Sequence, residues 1–152
     1  MTSGSVAPIL QRRGFVGGRW VDADDLTVFP VHDPADDSHL ADVACLGESE
    51  AQRAIDSAAK AFETWRTLTA KERAAPLRRW FELIESCTDE LALLLTREQG
   101  KPLSEARAEV AFAASFVEWF AEETKRTYGD VITYTQASQR IFAIRQPLGV
   151  CV

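Results

Sequence analysis

The hydrophobic period of this sequence changes twice, and this feature limits the fold more than any other. Up to about residue 46, short runs of strand-forming residues alternate with turn residues. Between about residues 49 and 128, apolar residues recur at helical spacing. From Asp130 onward the strand-like pattern returns. The chain is therefore predicted to place a largely helical segment between two β segments.

The two β segments are divided by turn residues. The Gly17-Gly18 pair, between two short runs of strand formers, predicts a tight hairpin, and a Pro/Asp-rich turn follows at 33–37. A polar turn is predicted at 136–139. The predicted strand pairs are 15–16 with 19–21, 27–32 with 40–46, and 131–135 with 140–145.

Four helices are predicted between the hairpins, at about 49–65, 69–84, 89–99 and 104–128. Ser49 with Gln52, and Thr69 with Glu72, have the spacing of capping boxes, in which side chains bind free backbone N–H groups at a helix start. We therefore expect the first two helices to begin at Ser49 and Thr69.

Other residues predict where the helices break or end. Pro76 removes a backbone donor from the second helix, so we expect a kink there or a restart of the helix at Pro76. Gly100 followed by Pro102 is typical of a helix stop. Ser104 is expected to cap the fourth helix, which would be roughly 36 Å long at 1.5 Å per residue.

Charge and composition exclude several classes of partner. The formal net charge is −6 and the pI about 5.0, so neither nucleic acid nor an anionic membrane surface is expected to bind. No stretch approaches the ~20 apolar residues of a membrane span, and the first 13 residues lack the apolar core of a secretory signal. We therefore expect a cytoplasmic protein.

Cysteine is the residue most suggestive of catalysis. Cys45, Cys87 and Cys151 are odd in number and lie in neither a zinc spacing nor a disulfide framework. Cys151 resembles a nucleophile only superficially, because no His or Lys adjoins it to stabilise a thiolate. All three are expected to be buried structural cysteines in a reducing compartment.

Two other patterns have structural rather than functional interpretations. His32 and His39 flank an Asp-rich turn without the spacing of a known metal site, so a solvated turn is favoured. Gly100-Lys101 lacks the preceding glycine of a phosphate loop and is interpreted as a helix stop. The four tryptophans could line a ligand tunnel, but core packing is favoured for Trp20, Trp65, Trp80 and Trp119.

Several stretches together resemble the amino-terminal third of aldehyde dehydrogenases. They are Phe-Val-Gly-Gly-Arg-Trp-Val (15–21), Val-His-Asp-Pro-Ala (31–35), Ala-Ile-Asp-Ser-Ala-Ala-Lys-Ala-Phe (54–62) and Trp-Arg (65–66). Two more resemble the succinate-semialdehyde branch: Arg-Glu-Gln-Gly-Lys-Pro-Leu-Ser-Glu-Ala (97–106) and Phe-Val-Glu-Trp-Phe-Ala-Glu-Glu (116–123). Their order is maintained from about residue 15 to residue 152.

The resemblance implies an α/β fold with four divisions. They are a flexible amino terminus (1–14), a β-hairpin and helical part of the cofactor domain (15–129), an oligomerisation-type β-hairpin (130–146), and the start of the first strand of a Rossmann-like cofactor domain (147–152). The apolar run 148–152 itself has the pattern of a buried strand that has just begun. We therefore expect the sequence to be cut short.

The resemblance also implies an activity. Such enzymes oxidise an aldehyde, here succinate semialdehyde, to the carboxylate with NAD or NADP, through a cysteine thiolate that forms a thiohemiacetal and then a thioester, while a glutamate activates water. These groups would all lie beyond Val152. No catalytic, cofactor-binding or metal-binding residue is therefore predicted within this chain, which alone is expected to be inactive.

Two alternatives come from other classes of protein. The first is a non-catalytic interaction module that associates through the 130–146 hairpin, because exposed strand edges can pair with a partner; the resemblance makes a homo-oligomer the expected assembly. The second is a free-standing four-helix domain of unrelated function. That domain would unfold in one cooperative transition, whereas we expect the isolated chain to fold only partly.

Overall fold

A computed structural model describes residues 9–134 and 136–151. Its strands are β1 (Gly14–Val16), β2 (Arg19–Val21), β3 (Val28–His32), β4 (His39–Ala44), β5 (Asp130–Thr133) and β6 (Arg140–Ala143). Its helices are α1 (Glu48–Trp65), α2 (Ala70–Ser86), α3 (Thr88–Gln99) and α4 (Leu103–Glu123), followed by a 3-10 turn over Thr124–Arg126. The predicted order of three hairpins and four helices is confirmed.

Each strand pair forms a separate two-stranded antiparallel sheet. In the first, the turn glycines Gly17 and Gly18 have φ of 58° and 80°, the left-handed region that glycine adopts without strain. The chain is already tied down before β1, because the Ala44 N–H donates to the Arg12 carbonyl at 2.8 Å. Residues 12–14 are thus held against the second hairpin, and residues 1–8 of the predicted flexible terminus lie outside the described part.

One of the two predicted capping boxes is confirmed. The Glu72 carboxylate accepts from the Thr69 N–H at 2.8 Å, and Thr69 Oγ1 accepts from the Glu72 N–H at 3.3 Å. The Ser49 box is wrong: α1 begins at Glu48, and its cap is Gly47. Glu50 takes the role assigned to Gln52, because it lies three residues after Gly47 and reaches back to accept from the Gly47 N–H at 3.0 Å.

Other helix boundaries differ from their prediction. The α2 helix continues through Pro76, so the helix does not restart there. Ser104 is not a cap, because α4 begins one residue earlier with Pro102 as its cap and no side-chain cap hydrogen bond. Pro102 has a fixed φ near the helical value, which suits a helix start. Gly100 ends α3 with φ of 75°, as predicted.

The packing of α4 organises the helices. Small residues on one face of α4 are buried where it packs against α2 and α3: Ala106, Val110, Ala114 and Ala121. Ala92 of α3 is fully buried against Ala106 and Val110. Because alanine side chains are short, they let the helix backbones come close. One isoleucine and three leucines pack against this core: Ile84 of α2, Leu91 and Leu95 of α3, and Leu103 of α4.

The chain after β6 forms no further strand among the described residues. Residues 147–151 have no regular secondary structure, and the last residue lies outside the described part. The expectation that 148–152 begins a buried strand is therefore not met in this structure. A strand needs a neighbour to bind its backbone N–H and C=O groups, and no described strand lies beside this run. Its assignment to a cofactor domain stays a prediction.

Glu50 ties the β segment to the start of α1. Its side chain is buried, and its Oε1 accepts from the Asp24 N–H at 2.8 Å while Oε2 accepts from Gly47 N–H and the Ser49 hydroxyl. These donors, led by the Asp24 N–H, lower the pKa of Glu50 to about 2. Arg53 closes the cluster, binding Asp24 with two hydrogen bonds of 2.7 Å.

Replacing Glu50 by Gln should therefore lower the thermal unfolding midpoint by a few degrees at neutral pH. Folding lowers the pKa of Glu50 from its ordinary value of about 4.5. The stabilisation by Glu50 is therefore complete above about pH 4.5 and is lost as the pH falls toward about 2. The midpoints of wild type and E50Q, followed by circular dichroism, should converge over that range. The control is E48Q, an exposed carboxylate in the same turn. This role would be contradicted if E48Q lowered the midpoint as much as E50Q does, or if the difference in midpoint between wild type and E50Q did not change with pH.

Candidate interaction surface

The outward side of α4 is strongly apolar. Phe112, Phe116, Trp119 and Phe120, here called the aromatic face, are 50–65% exposed. Phe112 and Phe116 stack edge-on with ring centroids 4.8 Å apart. These residues recur at helical spacing opposite the buried alanines, so one helix has a tightly packed side and an uncovered apolar side. An exposed patch of this kind is typical of a contact surface.

The hairpin of β5 and β6, here called the arm, is a second exposed apolar surface. Val131 pairs with Phe142, and Ile132 pairs with Ile141, so both faces of the ribbon carry apolar side chains. All four are 40–69% exposed. A two-stranded ribbon is marginally stable alone in water. Both of its outer edges lack a strand partner within the described residues, which lets another strand pair with it.

A cleft of about 830 Å³ runs beside the aromatic face. Phe116 and Trp119 form its apolar wall, and charged side chains of α2 and α4 form its rim. The rim charges are internally satisfied: Arg78 binds Glu118 at 2.7 Å, and Arg126 binds Glu123 at 2.5 Å. The cleft therefore offers an apolar wall rather than a free cation for an anionic ligand.

The three cysteines are less buried than expected. Cys45 and Cys151 are exposed and Cys87 is half-buried. Two of the sulfurs form weak hydrogen bonds: Cys87 Sγ lies 3.8 Å from the Ser86 hydroxyl, and Cys151 Sγ donates to the Gly149 carbonyl at 3.9 Å. Neither group is a base, so the described residues give these thiols no partner of the kind that activates a nucleophile.

The tryptophans are also not core residues within this chain. Trp20, Trp65, Trp80 and Trp119 are each 39–63% exposed. The prediction of core packing is wrong for these four residues, because mainly alanines, together with Phe81, fill the close helix contacts. Trp65 does line a cleft of about 590 Å³ between the end of α1 and residues 149–151. That cleft has walls from two segments that are far apart in the sequence.

The Asp-rich turn is the solvated turn that the sequence predicted. Asp33 Oδ1 accepts from the Ala35 N–H at 3.0 Å, and Asp36 Oδ1 accepts from the Ser38 N–H at 2.9 Å. His39 binds Asp42 at 2.9 Å, and its ring lies edge-on to the ring of His32 with the centroids 5.7 Å apart. Within residues 9–134 and 136–151, no group of three or more His, Cys, Asp or Glu side chains is placed to hold a metal.

The helix starts do not suit a dinucleotide phosphate. A helix amino terminus binds phosphate through its free N–H groups, an effect that nearby carboxylates oppose. Each helix has an acidic residue in its first turn, as in Glu48 and Glu50 of α1 and Glu105 of α4. Lys101 forms an ion pair with the Glu109 carboxylate, so its charge is not free for a phosphate. The helix starts of the described residues therefore offer no site for the phosphates of a dinucleotide.

No helix in the described part of the chain has both the length and the apolar character needed to cross a membrane.

Comparison with known proteins identifies the family. The model of the aldehyde dehydrogenase family matches residues 20–152, most of the sequence. This chain belongs to the aldehyde dehydrogenase family. The resemblance drawn from its sequence motifs is thereby confirmed.

Individual relatives give a finer picture. The glutarate-semialdehyde dehydrogenase of Pseudomonas putida is 50% identical over 144 residues, 95% of this chain and 30% of that protein. The succinate-semialdehyde dehydrogenase [NADP(+)] GabD of Escherichia coli is 48% identical, over 93% of this chain and 30% of that protein. The chain thus spans about 30% of the length of the curated relatives it matches.

The fold agrees with solved structures of the same family. The succinate-semialdehyde dehydrogenase from Burkholderia pseudomallei superposes with a TM-score of 0.90 at 50% identity, covering 95% of this chain and 30% of that one. The three hairpins and four helices therefore have the arrangement found in the amino-terminal part of aldehyde dehydrogenases. The predicted α/β fold class is confirmed.

The exposed apolar faces of the arm lead us to predict self-association through it. The double variant V131K/F142K places two positive charges on one face of the ribbon. Because burying an unpaired charge in an interface is costly, these charges should weaken the association. Sedimentation equilibrium should show a concentration-dependent oligomer for wild type and a shift of that equilibrium toward monomer of at least tenfold for the variant. Q139K, in the turn of the arm, is the control and should associate like wild type. A wild-type chain that stays monomeric at high concentration would contradict the prediction.

Proposed function

We propose that this chain is part of an NAD(P)-dependent dehydrogenase that oxidises the semialdehyde of a short dicarboxylic acid to the dicarboxylate. The observation that carries the proposal is the family match over residues 20–152 together with about 50% identity to semialdehyde dehydrogenases. Succinate semialdehyde is the substrate that we favour, from the motifs at 97–106 and 116–123. Glutarate semialdehyde, one methylene longer, is the second candidate.

Within that enzyme, these residues would build and assemble the active unit rather than perform the chemistry. The α4 core holds the aromatic face outward, and the arm extends away from the helices with both faces uncovered. We propose that the arm joins a second copy of the chain and that the aromatic face is covered by, or faces, the substrate entrance of the complete enzyme. NAD or NADP would bind to residues that this chain does not contain.

We assign the chemistry to residues elsewhere, as the family resemblance implies. The described thiols lie beside a hydroxyl and a carbonyl, and the helix starts are acidic. Nucleophilic catalysis on an aldehyde needs a thiolate, donors for the developing oxyanion, and a bound oxidant in one place. None of the cysteines is proposed to have a catalytic role. Our prediction of a reducing compartment, the cytoplasm, rests on the odd number and wide spacing of the three cysteines in the sequence.

An interaction module without enzymatic activity is the second candidate function. The observation that favours it is the arm, because its apolar faces and unpaired strand edges are already formed within the described residues. On that view, association is the function rather than a means of assembling an enzyme. The two candidates differ in what the complete polypeptide does to an aldehyde.

An assay of cofactor reduction tests the proposal. Residues 1–152 alone should produce no increase in absorbance from NADH or NADPH with succinate semialdehyde. The complete polypeptide that carries this segment should reduce the cofactor, with a kcat/KM that differs between succinate and glutarate semialdehyde by about 10-fold or more, as one methylene allows. Turnover by residues 1–152 would refute the assignment of chemistry elsewhere, and an inactive complete polypeptide would favour the interaction module.

A further inference from the structure

Three arginines from separate segments line one cleft. The cleft has a volume of about 400 Å³ and lies where the α1–α2 connection meets the chain that follows the arm. Arg66 comes from the end of α1, Arg73 from the first turns of α2, and Arg145 from beyond β6. Trp65, Thr127, Gln146 and Pro147 complete the wall. Among the residues that the structure describes, no aspartate or glutamate lines this cleft.

These arginines differ from the others of the helical region. Among the described residues, every arginine of α1 to α4 other than Arg73 forms an ion pair with a carboxylate: Arg53, Arg78, Arg79, Arg97 and Arg107. Arg73 instead donates to the Leu68 carbonyl, and Arg66 stacks over Phe62 with its Cζ 5.8 Å from the ring centroid. The cleft thus collects guanidinium groups that carry no countercharge within the described structure.

Such a cluster of positive charges lacks a negative charge to balance it. Guanidinium groups stay charged at any physiological pH, so three of them around one cleft repel each other unless an anion lies between them. The chain as a whole is acidic, with a net charge of −6, so this positive site is a local feature and not part of a general basic surface. Guanidinium also binds the oxygens of phosphate in pairs, with strong charge-assisted hydrogen bonds.

We infer that this cleft binds a small organic phosphate. The phosphate would lie between Arg66, Arg73 and Arg145, where two negative charges balance the guanidinium groups better than one carboxylate does. Trp65 and Pro147 provide an apolar wall beside that position for the organic part of the ligand. The volume lies within the range typical of small-molecule sites. This site is separate from the proposed dehydrogenase function and does not depend on it.

Binding would also link two distant parts of the chain. Arg66 and Arg73 lie at the end of α1 and the start of α2, whereas Arg145 belongs to the segment that follows the arm. One phosphate held by all three would tether the base of the arm to the helical region. The bound ligand would thereby fix the orientation from which the arm projects.

Isothermal titration of the native protein at constant ionic strength tests the inference, with phenyl phosphate, inorganic phosphate and benzoate as probes. Phenyl phosphate should bind saturably, once per chain, more tightly than inorganic phosphate, and benzoate should bind weakest. The variant R66Q/R145Q removes two exposed cleft arginines and should weaken phenyl phosphate binding by at least about tenfold. The matched control R79Q/R107Q removes the same charge from paired surface arginines and should bind like wild type.

Several outcomes would overturn the inference: no saturable binding, equal weakening in R66Q/R145Q and the control, or benzoate binding as tightly as phenyl phosphate. A second measurement needs no variant. Phenyl phosphate should protect Arg66 and Arg145 of wild type, but not Arg79, from modification by phenylglyoxal, as read by peptide mass spectrometry. Equal modification with and without phenyl phosphate would contradict the site even if the variant failed to fold.

Discussion

The close contact of α4 with α2 and α3 is the interaction on which the rest of this structure depends. It is made by small side chains, and Ala106, Ala114 and Ala121 are at most 3% exposed. Alanine contributes little apolar area per residue, so this contact stabilises mainly by letting whole helices pack closely. It also fixes the rotation of α4 about its axis, and with it the direction in which the aromatic rings point.

That rotation accounts for the unusual surface of the chain. Once the alanines face inward, Phe112, Phe116 and Trp119 must face outward, and the arm that follows α4 is exposed as well. A chain of this length that stood alone would be expected to bury more of its aromatic side chains. On the function proposed above, the aromatic face and the arm are the surfaces where the remainder of a larger assembly would make contact.

The parts of the fold that sequence predicted are those decided by local chemistry. The Thr69–Glu72 capping box, the left-handed Gly100 and the Gly17-Gly18 hairpin depend on residues within a few positions of each other. The start of α1 was mistaken because two overlapping spacings competed. Glu50 is the capping carboxylate because it accepts from the distant Asp24 N–H as well as from the Gly47 N–H. No local sequence pattern reveals the contact with Asp24. The arginine cleft could not be predicted from the sequence for the same reason, since its three arginines lie up to 79 positions apart.

The exposed aromatic side chains permit a direct test of the central claim, which is that this chain works as one part of a larger assembly. Hydroxyl-radical footprinting of the native protein, with the urea-unfolded protein as reference, would measure how far Trp119 and Phe142 are shielded from solvent. Strong protection of both residues, although each is more than 60% exposed in this chain by itself, is the predicted result. Equal reactivity in the native and unfolded protein would contradict the claim.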